Sequence, residues 1–261
     1  LHSTSRRQRQ MCIRDSFNAL KIQADYFSEK REGIFLERAS LPLYIGVSTK
    51  PYVNVGKMKN HGFDTSLEYN QRVGQVRLSG KANFTYAHNT IIDNDQPDWK
   101  YPYLNRRGQM LWQQYGLVAA GLFESQADID SWPTQTFGEV KPGDIKYIDI
   151  NGDGKIDTND EKPIGWAAVP EIVYGFGLSA AWKGLDCSVF FQGAGHVTLQ
   201  QSGSAIQAFS ARNMMESGVY EDIYYNHWSE DNPNPNAKYP RLSIGSNKNN
   251  FLNSTFRQKD M

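Results

Sequence analysis

The chain has 261 residues, 39% hydrophobic and 21% charged, and its 28 basic and 28 acidic side chains cancel to a formal net charge of zero. That balance is globular, and it excludes both the basic field that draws nucleic acid and the acidic bias of a solvating tail. The two cysteines, Cys12 and Cys187, make no disulfide framework, and no run of 18 uncharged apolar residues is present to form a transmembrane helix.

Residues 1–16, LHSTSRRQRQMCIRDS, are basic and without pattern, and lack the apolar run and small-residue cleavage site of a signal peptide. They read as a non-native or unstructured leader that stays unpacked, so fold reasoning begins at residue 17. Period-two alternation then dominates. Leu20, Ile22, Ala24 and Tyr26 alternate with Lys21, Gln23 and Asp25, which predicts a strand over 20–28. A strand over 63–70 follows, with Thr65, Leu67 and Tyr69 opposite Asp64, Ser66, Glu68 and Asn70. After a short QRVG link, Val76, Leu78, Ala82, Phe84 and Tyr86 alternate with polar residues over 76–87. A second hairpin spans 171–182 and 185–193, turning at Lys183-Gly184, where glycine supplies the positive φ of a tight turn.

Long loops are expected at about 29–62, 88–170 and 194–261, and they alternate with the short turns so that all lie at one end of the sheet. Membrane β-barrels pair short turns with long outer loops in this way. The fold expected is therefore all-β: antiparallel up-and-down strands forming an open curved sheet, part of a large transmembrane β-barrel spanning 17–261. Ile172, Tyr174, Phe176, Leu178, Leu185, Cys187, Val189 and Phe191 fall on the lipid side, and Tyr86, Tyr174 and Trp182 stand where interfacial girdles form. The alternative is a secreted, calcium-braced carbohydrate-binding β-sandwich, in which the apolar faces cover each other.

One motif carries metal chemistry. In DINGDGKIDTND, residues 149–160, Asp149, Asn151 and Asp153 take positions 1, 3 and 5 of a calcium loop, and Gly154 takes the sharp turn. Lys155 offers its carbonyl at position 7, Asp157 sits at 9, and Asp160 at 12 replaces the usual longer glutamate. Without an ion, the same residues form a turn held by Asx hydrogen bonds. The five histidines, His2, His61, His88, His196 and His227, share no ligand spacing, so they read as surface or loop residues, and no catalytic constellation appears: the chain is not expected to be an enzyme. Trp99, Tyr101, Tyr103 and Trp132 suit either sugar stacking or mutual contact.

Six stretches in order carry a family resemblance: NVGKMKNHGFDTSLEY, ANFTYAHNTI, YGLVAAGLFESQADI, PGDIKYIDINGDGKIDTNDEKPIG, PEIVYGFGLSAAWKGLDCSVFFQGAG and NPNPNAKYPRLS. Together they resemble the SusC/RagA family of TonB-linked outer-membrane transporters of Bacteroidota, in the C-terminal half of the barrel. The resemblance implies a wide barrel with a plug, energised through TonB, and nutrient uptake of glycan or peptide fragments delivered by a SusD-like surface lipoprotein. It makes the calcium loop a brace in an extracellular loop, and it places the plug and the TonB-reading segment outside these residues. A segment of this kind is expected to have no stable monomeric form.

Overall fold

The computed structural model describes residues 4–7, 11–16, 19–40, 46, 49–203, 206–209, 218–245 and 247–261, with side chains from residue 19 onward. Its main sheet has seven strands: β1 (Thr4–Arg7), β2 (Met11–Ser16), β3 (Leu20–Glu37), β4 (Tyr52–Val73) and β5 (Val76–Asp93), then β12 (Ile172–Trp182) and β13 (Leu185–Gly195). All neighbours are antiparallel, in the order β3-β4-β5-β12-β13, with β1 and β2 both paired to β3. The sheet is open, as the alternation implies. Both short turns lie at one end, and Lys183 and Gly184 have φ of 48° and 87°, the positive pair of a tight hairpin turn.

Register shows why these residues form these strands. Ile172, Tyr174, Phe176, Leu178, Ala180 and Trp182 stand level with Tyr86, Phe84, Ala82, Gly80, Leu78 and Val76 on one side. On the other side, Phe191, Val189, Cys187 and Leu185 complete the same face. Phe63, Leu67 and Tyr69 continue it across β4, and Leu20, Ile22 and Tyr26 across β3. No charged residue interrupts this face over Phe63–Val73 or Val76–Tyr86. Leu178 is 71% and Leu185 68% exposed, and Phe63, Phe84, Phe176 and Phe191 are exposed too. A sandwich would have covered these rings with a second sheet, so the sandwich alternative is not what forms. The opposite face carries Asp64, Glu68, Lys81, Asn83 and Gln192, and on it the hydroxyls of Ser79 and Ser179 hydrogen-bond across the strands.

Three expectations need correction. The strands expected over 20–28, 63–70 and 76–87 run on to Glu37, back to Tyr52 and on to Asp93. The loop expected over 29–62 therefore shrinks to 38–51, and the one beginning at 88 starts after Asp93. The cause is an inversion of polarity. Beyond Tyr26, Phe63 and Tyr86 the apolar face turns polar, while Ile34, Leu36, Met58 and Ile91 make the formerly polar face apolar. Register irregularities near Ile34 and between Lys57 and Met58 hide the continuation further. Finally, Thr4–Arg7 and Met11–Ser16 lie along β3 as strands, where an unpacked leader is expected. A free strand edge presents unpaired N–H and C=O groups, and pairing with whatever chain is near satisfies them.

The two long connections, 94–171 and 196–261, fold together at the long-loop end. The first holds β6 (Gln113–Gly116), β7 (Ala119–Leu122), α1 (Gln126–Asp130), β8 (Thr134–Gln135), β9 (Ile145–Tyr147), β10 (Lys155–Ile156) and β11 (Lys162–Ala167). The second holds β14 (Thr198–Gln200), α2 (Glu221–Asn226), α3 (Lys248–Phe251) and β15 (Gln258–Asp260). They share one core of Leu117, Leu122, Ile145, Tyr147, Ile156, Trp228 and Ala237, with Trp132, Phe137, Leu252 and Phe256 against it. Leu117, between β6 and β7, is tied to the second connection by Leu117 N–H to Asn253 O and Thr255 N–H to Leu117 O.

Candidate functional site

The calcium-type loop sits on this outer core, anchored by the fully buried Ile156, whose strand β10 pairs in parallel with β8. A strand precedes the loop, its last residues make a single 3-10 turn, Thr158–Asp160, and β11 follows, so it has no flanking helices to open. Asp149 winds the loop by accepting the amides of Gly152 at 2.7 Å and Gly154 at 2.8 Å. Asn151, Asp153 and Asp157 each accept the amide two residues on, from Asp153, Lys155 and Asn159. Tyr103 donates its hydroxyl to Asn159 O at 2.7 Å and ties the loop to the preceding segment.

Asp160 behaves differently. Its side chain is fully buried and accepts three amides, from Ile150, Asn151 and Asp157, at 2.8, 3.2 and 2.8 Å. With three of about four lone-pair positions filled, it braces the loop from below. Among the described residues no three His, Cys, Asp or Glu side chains stand close enough to share an ion. Of the five predicted side-chain ligands, Asp149, Asn151, Asp153 and Asp157 line the loop and accept its own amides, while Asp160 lies beneath it. The wrapping of Asp149 fits a calcium loop; the occupied carboxylate of Asp160 does not fit a ligand at position 12.

Beside the loop opens a cleft of about 850 Å³ between the upper sheet and the outer core. Ile34, Leu36, Met58, Ile91 and Met110 form its apolar floor, and Arg106, Asp93 and Glu161 its polar rim. Burial pushes the Glu161 carboxyl above its ordinary value, and nearby Arg106 pulls it partly back. Trp132 is not a free platform: it donates to Tyr147 O at 2.7 Å and lies under the Lys146 ammonium at 3.9 Å. Tyr101 and Tyr103 stack at 5.6 Å, and Trp99 remains exposed.

Spacing gave no hint of a further cluster. His88 on β5 and His196 after β13 both reach the buried carboxylate of Glu171, the latter at 3.0 Å, and His61 on β4 meets His88 edge-on at 5.5 Å. Trp166 stacks on His196 at 3.9 Å. The group clamps four strands at the outer end of the sheet. The one available signal is that Glu171 and His88 each flank the end of a predicted strand.

Comparison with known proteins bears on this architecture. The chain is 27% identical over 243 residues to TonB-dependent receptor P3 of Formosa agariphila, covering 86% of the chain and 23% of that receptor. It is 28% identical over 182 residues to TonB-dependent receptor P26 of the same organism, covering 66% of the chain and 18% of that receptor. Among solved structures, the RagAB peptide transporter superposes with a TM-score of 0.65 at 20% identity, over 93% of the chain and 25% of the transporter chain. The chain is similar to TonB-dependent receptors and shares the fold of part of the RagAB transporter chain. Another RagAB structure, of the peptide importer in a closed-closed state, gives a TM-score of 0.62 at 19% identity. No protein-family model matches. The chain thus spans about a quarter of the length of the curated receptor and the RagAB chain it matches, and its open sheet corresponds to part of a barrel wall.

Proposed function

We infer that the chain is a wall segment of an outer-membrane, TonB-dependent transporter that takes up glycan or peptide fragments with a SusD-like surface lipoprotein. The observation that carries this reading is the sheet itself: an exposed apolar face free of charge, backed by a polar face, with every long loop at one end. From Val76 to Tyr86 ten steps of ~3.4 Å, tilted by about 40°, give a height of about 25 Å, the thickness of a barrel's apolar band. Lipid covers that face, the polar face lines the wet lumen, and the outer core stands above the membrane.

The cleft is the segment's contribution to solute capture. Its apolar floor and its rim of Arg106, Asp93 and Glu161 suit a ligand with both apolar and charged groups, which a peptide supplies more readily than a neutral glycan. Calcium belongs to the same proposal as a loop brace held by Asp149, Asn151, Asp153, Asp157 and the Lys155 carbonyl, with Asp160 positioning the backbone beneath.

The test is uptake by the full-length protein in its own outer membrane. Labelled oligopeptides and oligosaccharides of matched size are offered to wild type and to Arg106→Ala. Energy-dependent import of one class that weakens in the variant supports the reading; recovery of the full-length protein from the soluble fraction overturns it.

A further inference from the structure

Where the apolar face ends, its continuation is basic. Two residues beyond Phe63 and Tyr86 stand His61 and His88, and two beyond those stand Lys59 and Thr90, each pair in register. Lys59 lies directly opposite Lys30 of β3, and Lys57 stands in register between Glu32 of β3 and Asp93 of β5. Lys30 bonds Glu32 at 2.7 Å, whereas no acidic side chain among the described residues pairs with Lys57 or Lys59, both of which are exposed. Like charges directly opposite on a sheet repel, and lysines paired in this way are a cost unless an anion lies between them.

Their height narrows what that anion is. Lys59 is four residues above Phe63, about 13 Å along the strand at ~3.3 Å per residue and about 10 Å above the ring at barrel tilt. The headgroup layer occupies roughly the first 5–8 Å beyond the hydrocarbon, and lysine stems reach back across such a gap. The side chains also point to the same side of the sheet as the lipid-covered face, away from the lumen and from any lid seated on the loops. Resting on the transporter reading above, we propose that Lys57 and Lys59, with Lys30, form a binding site for the phosphate of an outer-leaflet lipid headgroup.

The experiment uses the full-length transporter in detergent, titrated with fluorescent monophosphoryl lipid A and with its dephosphorylated form. Wild type is expected to prefer the phosphorylated lipid by roughly thirtyfold, two lysines' worth of attraction to an anionic surface. Lys57→Gln/Lys59→Gln is expected to lose the preference, Lys259→Gln in the outer connection to keep it, and millimolar inorganic phosphate to leave the lipid bound. Equal binding of both lipids by wild type, or a preference that survives the double substitution in a folded, heat-modifiable barrel, overturns the proposal. So does a double variant that keeps its lipid preference but releases a co-purifying protein, which would make the patch a protein contact. Each of these leaves the transporter reading standing, because that reading fails on localisation and uptake instead.

Discussion

Arg241 reaches Asp144 from the other side of the β12–β13 hairpin: its Nε stands 2.6 Å from a carboxylate that is wholly buried. Asn247 and Asn250 donate to the same carboxylate at 2.9 Å each, as does the amide of Lys141. Removing one partner of a buried pair leaves the other charge uncompensated, at a cost of about 3–5 kcal/mol. Arg241→Ala is therefore expected to unfold the outer core of the full-length protein at a markedly lower temperature, while Asp144→Asn/Arg241→Met recovers much of the loss. Thermal unfolding followed by the fluorescence of Trp132 and Trp228 reads the difference; equal midpoints for wild type and Arg241→Ala would contradict the assignment.

The second prediction concerns Asp160. Alanine there strands three amide donors, each costing about 1–3 kcal/mol when buried without a partner. Amide hydrogen exchange at Ile150, Asn151 and Asp157 should accelerate together in Asp160→Ala, and less in Asp160→Asn, which keeps one carbonyl. By contrast, Asp149→Asn/Asp153→Asn should leave those amides protected and abolish only the protection against protease that added calcium gives. If calcium gives wild type no protection, the ion is not part of the loop.

Glu161 gives a pH dependence. Its folded pKa lies above the ordinary 4.5, raised by burial, so the folded state holds the proton more tightly than the unfolded one. Stability from this group is greatest at and below pH 4.5 and declines as pH rises through the folded value. Glu161→Gln should thus stabilise the outer core at neutral pH and make no difference below about pH 4.5. A stability gain that is the same at pH 4 and pH 7 would rule this cause out.

The fourth prediction separates the faces of β12. Arginine at Leu178, near the middle of the apolar face, should cost about 2–4 kcal/mol in the folding of the full-length barrel into a bilayer, and arginine at the neighbouring Ser179 much less. Equal costs would mean that the two faces see the same solvent.

Much of the sheet was legible because a half-buried strand repeats every two residues, and the lower halves of β3, β4 and β5 keep a single polarity on each face. Their upper halves were not, since Met58 and Ile91 sit on the face that Asp64 and Asn83 had marked as wet. The calcium-type loop was legible as a loop, yet a carboxylate that ligates and one that braces backbone amides occupy the same sequence position, so the role of Asp160 needed coordinates. Glu171 and its histidines come from segments 25 to 110 residues apart, joined only by register. The strands of the outer core, two to six residues long, are too short for any period to show.

The shared core of the two outer connections sets an order of events. Leu117 and Tyr147 precede the β12–β13 hairpin in the chain, while Trp228, Leu252 and Phe256 follow it. Neither half can shield its apolar residues alone, so the core closes only after the hairpin has joined the wall and brought both halves to the same end. Assembly of this region therefore runs from membrane to surface, and the completed core acts as a latch. Once it has formed, withdrawing the hairpin means first tearing the core in two. A backbone cut within 196–220 would accordingly leave the two pieces bound to each other, released only by denaturant.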